Sequence, residues 1–191
     1  MAALLVAACL TVVADEEAGN LPVVRSSEYG GVYAKSVPEE RYGQKGKTRV
    51  FSVGADRDTL ICEYNWYADK LSLGGTGDAT LIRFGPWQRG HSPQADHLAI
   101  GIYCNGKTLR EYSTLDMQKL GSGVEESVSH YTIFQRHLGF RWLKENDHVY
   151  EVEGVSGKVF TFDLNTGSIV EKSTKPVGGA SGALGAPRSS P

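Results

Sequence analysis

Apolar residues in this chain fall in short runs of four to eight positions, alternating or nearly continuous, and they are broken by glycine-, asparagine- and aspartate-rich turns. That spacing predicts strands joined by tight turns rather than amphipathic helices. The central instance is Leu98 to Tyr112, where two β-rich runs meet at Asn105-Gly106. This dipeptide suits the two positive φ angles of a type I′ turn. A simple two-residue hairpin then sets Ile102 opposite Leu109, Tyr103 opposite Thr108 and Ala99 opposite Tyr112. Apolar side chains consequently lie on both faces, which predicts a strand pair between stacked or neighbouring sheets.

The same reading predicts strands at Tyr29 to Lys35, Arg49 to Val53, Leu60 to Tyr67, Leu71 to Leu73 and Ala79 to Phe84 ahead of the hairpin. After it come Ser127 to Phe134, Gly139 to Leu143, His148 to Glu153, Lys158 to Asp163 and Ser168 to Glu171. One short helix is expected. Ser113-Thr114-Leu115-Asp116 has capping-box spacing, and Gly121 can end the turn. The fold class is therefore all-β, built of antiparallel hairpin repeats in a propeller-like or sandwich-like arrangement.

Three stretches repeat one form, an apolar strand, a polar turn and a second strand: Val50 to Tyr64, Ile100 to Tyr112 and Val159 to Glu171. Within the last, Phe162-Asp163-Leu164-Asn165-Thr166-Gly167-Ser168-Ile169 resembles the closing hairpin of quinoprotein-type β-propeller repeats, which carry a similar Asp-x-x-Thr-Gly. The resemblance implies hairpin geometry and no activity. Phe84-Gly85-Pro86-Trp87 followed by Ser127-Val128-Ser129-His130-Tyr131 resembles uncharacterised exported bacterial β-rich proteins, which implies export alone.

Composition adds organisation. Four segments are expected: a signal peptide over 1–14, a linker over 15–27, a β-rich domain over 28–172 and a disordered Gly/Ala/Ser/Pro tail over 173–191. Met1 to Ala14 is uncharged and mostly apolar, with Asp15, Glu16 and Glu17 directly after it, so cleavage falls before Asp15. A second reading takes Val6-Ala7-Ala8-Cys9 as a lipobox with Cys9 lipidated, which would anchor the protein to a membrane. At 14 residues the run is shorter than the ~20 needed to span a bilayer. The protein is thus expected outside the cytoplasm, periplasmic or extracellular. Removal of the leader leaves two cysteines, Cys62 and Cys104. A disulfide between them and a pair of buried thiols fit that pattern equally.

A formal net charge of −2 without clustered Lys or Arg excludes nucleic acid as the main partner. Gly74 to Asp78 lacks the Lys-Ser/Thr of a phosphate loop and reads as a turn. Two segments carry candidate chemistry. Phe84 to His91 joins an aromatic, a cation and an imidazole, suited through Trp87, Arg89 and His91 to an anionic or sugar-like ligand. Ser127 to Tyr131 adds His130 and Tyr131. The leading expectation is a non-catalytic binding protein that needs no cofactor. A metal-dependent hydrolase using His91, His97 and His130 is the rival, although no metal-ligand motif spaces them. A purely structural envelope role is the third.

Overall fold

A computed structural model describes residues 17–75, 79–144 and 147–170. The expected signal peptide over 1–14, the alternative lipobox at Cys9 and the expected tail over 173–191 lie outside these residues. Strands β1 (Val23–Ser26), β2 (Val32–Pro38), β3 (Gly46–Ser52) and β4 (Thr59–Tyr64) form a first antiparallel sheet in chain order. The central sheet pairs β5 (Leu71–Gly74), β6 (Thr80–Phe84), β8 (Leu98–Cys104) and β9 (Lys107–Ser113). A third contains β12 (Phe134–Lys144), β13 (Asp147–Gly154) and β14 (Val159–Asp163). A small end sheet joins β10 (Glu125–Glu126), β11 (His130–Thr132) and β7 (Gln88–Arg89). The three larger sheets stack as a sandwich of three layers.

The central sheet is buried on both faces, as its sequence predicts. Leu81 pairs with Tyr103, and both join Val32, Ala34 and Val50 of the first sheet in one core. On the opposite face Ile82 pairs with Ile102 and Phe84 with Ile100, packed with Tyr150, Val152, Phe160 and Phe162 of the third sheet. Each such side chain contributes about 1.5–3 kcal/mol through loss of apolar surface. Among the inward positions of the first sheet are two hydroxyls, and they satisfy each other. Ser36 Oγ and Thr48 Oγ1 lie 2.8 Å apart, and Thr48 also donates to the Trp66 carbonyl at 2.9 Å.

The hairpin turn forms as predicted, with φ of 46° at Asn105 and 83° at Gly106, and Tyr103 does face Thr108. Register beyond it differs. Ile102 pairs with Arg110 and Ile100 with Tyr112, because a bulge absorbs Leu109 and a second irregularity absorbs Ala99. The shift sets Tyr112 beside Ile100 in the core toward the third sheet, so packing against that sheet overrides simple hairpin counting. Each repeated hairpin belongs to a different sheet, in order β3–β4, β8–β9 and β14 with its bridge from Phe162 to Ile169.

Helix α1 (Thr114–Lys119) carries the full capping box: Asp116 N–H donates to Ser113 Oγ, and Ser113 N–H donates to Asp116 Oδ2. A further difference lies in the 15–27 linker, where β1 adds an edge strand by pairing with β2. Its Val24 is exposed, so the strand shows backbone pairing without the buried apolar alternation that would mark it in sequence. No helix among the described residues is long and apolar enough to cross a membrane. Where the central and third sheets meet, the Tyr150 hydroxyl lies 2.8 Å from Ser72 Oγ.

Candidate ligand cleft at Trp87

Strand β6 ends at Phe84, and the chain then turns through Gly85, Pro86 and Trp87. The turn is clamped to the start of β8: Gly85 N–H donates to the Ala99 carbonyl at 3.0 Å and Gln88 Nε2 to the Leu98 carbonyl at 2.6 Å. A Cβ on Gly85 would stand 1.7 Å from the Leu98 oxygen, so only glycine permits this approach. From there β7 pairs with β11, setting Arg89 opposite His130 and Gln88 opposite Tyr131. The two segments singled out in the sequence are therefore neighbours in one small sheet. Trp87 and His130 meet with ring centroids 3.9 Å apart and planes tilted by 36°.

A cleft of about 150 Å³ opens beside this pair, lined also by Lys70, Phe84, Phe134 and His137. His137, on β12, lies flat on Phe84 with centroids 3.8 Å apart and planes within 5°. His137 is exposed as a residue, but one face of its ring is withdrawn from water against Phe84; that desolvation, and secondarily the ammonium of Lys70, hold its pKa below the ordinary value. Trp87 also lines a pocket of about 320 Å³, together with Tyr42, Gln44, Arg89, His97 and Glu17. Arg89 donates through Nε to Glu17 Oε2 at 2.8 Å, and through Nη2 to the same oxygen. Its guanidinium carbon stands 5.7 Å from the centre of the Tyr42 ring.

Tyr131 is buried, and its hydroxyl lies 2.9 Å from both His97 Nδ1 and Thr114 Oγ1. Thr114 Oγ1 in turn donates to the Gln94 carbonyl at 3.0 Å. Each hydroxyl has one proton to give. All three bonds form together only when Thr114 donates to Gln94, Tyr131 to Thr114, and His97 Nδ1–H to Tyr131. In the neutral ring this is the tautomer whose Nε2 carries a lone pair, and the ring lines the pocket beside Arg89. Burial is also the main reason that the Tyr131 phenol is pushed above its ordinary pKa. Tyr131 thus acts as a support for His97 and backs the cleft from within.

Of the residues proposed from sequence, Trp87, Arg89, His130 and Tyr131 come together. His91 is exposed and lines neither cavity. Among the described residues no three His, Cys, Asp or Glu side chains converge where they could hold a metal ion, so His91, His97 and His130 do not form a common site. Cys62 and Cys104 are free thiols, each half-buried, in place of a disulfide. Desolvation is the first cause that raises the Cys62 pKa.

Sequence reasoning missed Lys70, His137, Tyr42, Gln44 and Glu17. These reach the site through sheet stacking and chain return, which leave no local pattern. The one legible hint was His137 itself, an imidazole seven positions after His130. Comparison with protein-family models, with curated proteins and with solved structures finds no match to this chain.

Proposed function

We propose that this chain is an exported, non-enzymatic binding protein whose site around Trp87 takes a small ligand with a sugar-like ring and a carboxylate. The observation that carries this reading is Trp87, which packs against His130 with planes 36° apart and lines both the cleft beside that residue and the pocket that Arg89 lines. An indole face suits the C–H face of a sugar ring. Arg89 supplies a charge-assisted donor for a carboxylate. In the neutral ring His97 Nε2 is an acceptor, because the Tyr131 chain places the proton on Nδ1, and it suits a ligand hydroxyl. Export is supported by the uncharged apolar run from Met1 to Ala14, and the mature chain would begin at Asp15.

Calorimetric titration of the purified protein with glucuronate, with glucose as the neutral comparison, tests the reading. Saturable binding of glucuronate is expected, weakened about tenfold by Trp87→Ala, the equivalent of the ~1.4 kcal/mol carried by an aromatic contact. Arg89→Ala should erase the preference for glucuronate over glucose. Titrations in which both variants match the wild type, or in which neither sugar binds, would overturn the proposal.

A further inference from the structure

The cation that should receive a ligand carboxylate already holds one. Glu17 offers a single oxygen, Oε2, to both Nε and Nη2 of Arg89. The two side chains differ sharply in exposure, 16% for Glu17 against 67% for Arg89. The carboxylate is therefore the covered partner, drawn into the pocket, while much of the guanidinium stays open to solvent. This placement is built rather than incidental. Asn20 N–H donates to the Arg41 carbonyl at 2.7 Å, and its amide donates to the carbonyls of Glu40 and Gly43. Tyr67 donates its hydroxyl proton to the Leu21 carbonyl at 2.8 Å. Three residues beyond Glu17, the chain is thus tied to the wall formed by Tyr42 and Gly43, and that tie delivers the Glu17 side chain to Arg89.

We infer that Glu17 is an internal stand-in for the carboxylate of the ligand, held on Arg89 until an incoming carboxylate displaces it. The inference rests on the acidic-sugar reading of the site and adds its regulation. Exchange of one carboxylate for another leaves Arg89 paired before and after, so the net cost of displacement is small. A ligand carboxylate that places one oxygen on Nε and the other on Nη2 makes the fork that Glu17, using one oxygen, does not. The resident ion pair is solvent-exposed on the arginine side and hence weak. Its removal should tighten ligand binding by a small, measurable factor.

The test is calorimetric titration of wild type, Glu17→Gln, Arg89→Gln and the double variant with glucuronate and with glucose, each protein first checked for an unchanged melting transition. Glu17→Gln is expected to bind glucuronate about two- to fivefold more tightly, the range that corresponds to release of an exposed ion pair. Its affinity for glucose should not move, and the gain should vanish when Arg89 is also Gln. Equal glucuronate affinity in wild type and Glu17→Gln would overturn the competition and leave the ligand reading standing. Weaker binding in Glu17→Gln would overturn it as well, making Glu17 a positioning residue for Arg89. Absence of binding in every protein would overturn both.

Discussion

His137 and Phe84 lie face to face, 3.8 Å between ring centres and 5° from parallel, although one belongs to the third sheet and the other to the central sheet. This contact joins the two layers in the lining of the Trp87 cleft. It also places a titratable ring where protonation is unfavourable. Phe84 covers one face of the imidazole, and Lys70 lines the same cleft with a positive charge.

A pH dependence follows. The folded-state pKa of His137 lies below the ordinary value of about 6.5, first through desolvation and then through Lys70. Between the two values the unfolded chain binds the extra proton, so stability rises with pH across that window. The contribution is complete above about pH 6.5 and is lost as pH falls through the folded value. Wild type should therefore lose more melting temperature than His137→Gln on acidification from ~7 to ~5. Proton NMR of the imidazole should give a depressed pKa that moves up in Lys70→Gln. A His137 resonance that titrates at the ordinary value in wild type would refute the assignment.

The central sheet carries a second constraint of the same close-packed kind. Tyr103 lies over Gly101: a Cβ at Gly101 would come within 2.6 Å of the Tyr103 hydroxyl oxygen and 2.7 Å of Cε2. That hydroxyl donates to the Glu111 carboxylate, and burial, ahead of that hydrogen bond, holds the phenol well above its ordinary pKa. Gly101→Ala should push the ring off its contacts with Tyr64 and Trp66. Overpacking of this sort costs about 1–3 kcal/mol. Denaturant unfolding should register the loss, and glucuronate affinity should stay at the wild-type value, since Gly101 lines neither cavity at Trp87.

Removal of the helix cap gives a smaller, local effect. Ser113 Oγ accepts from Asp116 N–H at 3.0 Å, and the Ser113 hydroxyl donates to Asp116 Oδ2 at 2.7 Å. The Ser113 hydroxyl, and after it the Ser113 backbone N–H, donate to the Asp116 carboxyl and hold it below its ordinary pKa. Ser113→Ala should cost about 1 kcal/mol in global unfolding. Amide exchange should accelerate along 114–119 ahead of the sheets. Unchanged exchange in this segment would remove the cap as a determinant of the helix.

Much of this architecture was legible because it is local. Asn105-Gly106 encodes its own turn, Ser113 and Asp116 encode their own cap, and the three hairpins announce themselves by alternation and turn residues. The burial of Leu81, Ile82, Ile102 and Tyr103 on two faces also follows from a run with no polar side. What escaped is non-local. The bulge at Leu109 answers to the packing of Tyr112 against the third sheet, which no count from the turn contains. Strand β1 carries Val24 exposed at an edge and has no inward apolar row to betray it. The site divides the same way: Trp87 and His130 stood out by residue type, while Glu17 reaches Arg89 from a segment with no pattern at all.

The last prediction separates the turn that presents Trp87 from the stability of the domain. Gly85 is excluded from carrying a Cβ by crowding, since the Leu98 oxygen would stand 1.7 Å away and Gln88 Nε2 2.4 Å away. Backbone on that scale cannot be met by a side-chain adjustment, so Gly85→Ala must lift the turn from β8 and with it the indole from His130. Gly30, in the turn between β1 and β2, is the fitting control. It needs glycine for its φ of 70° and has no heavy atom within 4 Å of a built Cβ. Both substitutions should lower stability, Gly30→Ala by about 1 kcal/mol from left-handed backbone strain and Gly85→Ala by about 1–3 kcal/mol from overpacking. Only Gly85→Ala should weaken glucuronate binding, by about the tenfold expected of Trp87→Ala, and change the tryptophan emission of the folded protein. Wild-type affinity in a folded Gly85→Ala would mean that the clamp to β8 does not set the position of Trp87, and the ligand reading would lose its geometric basis.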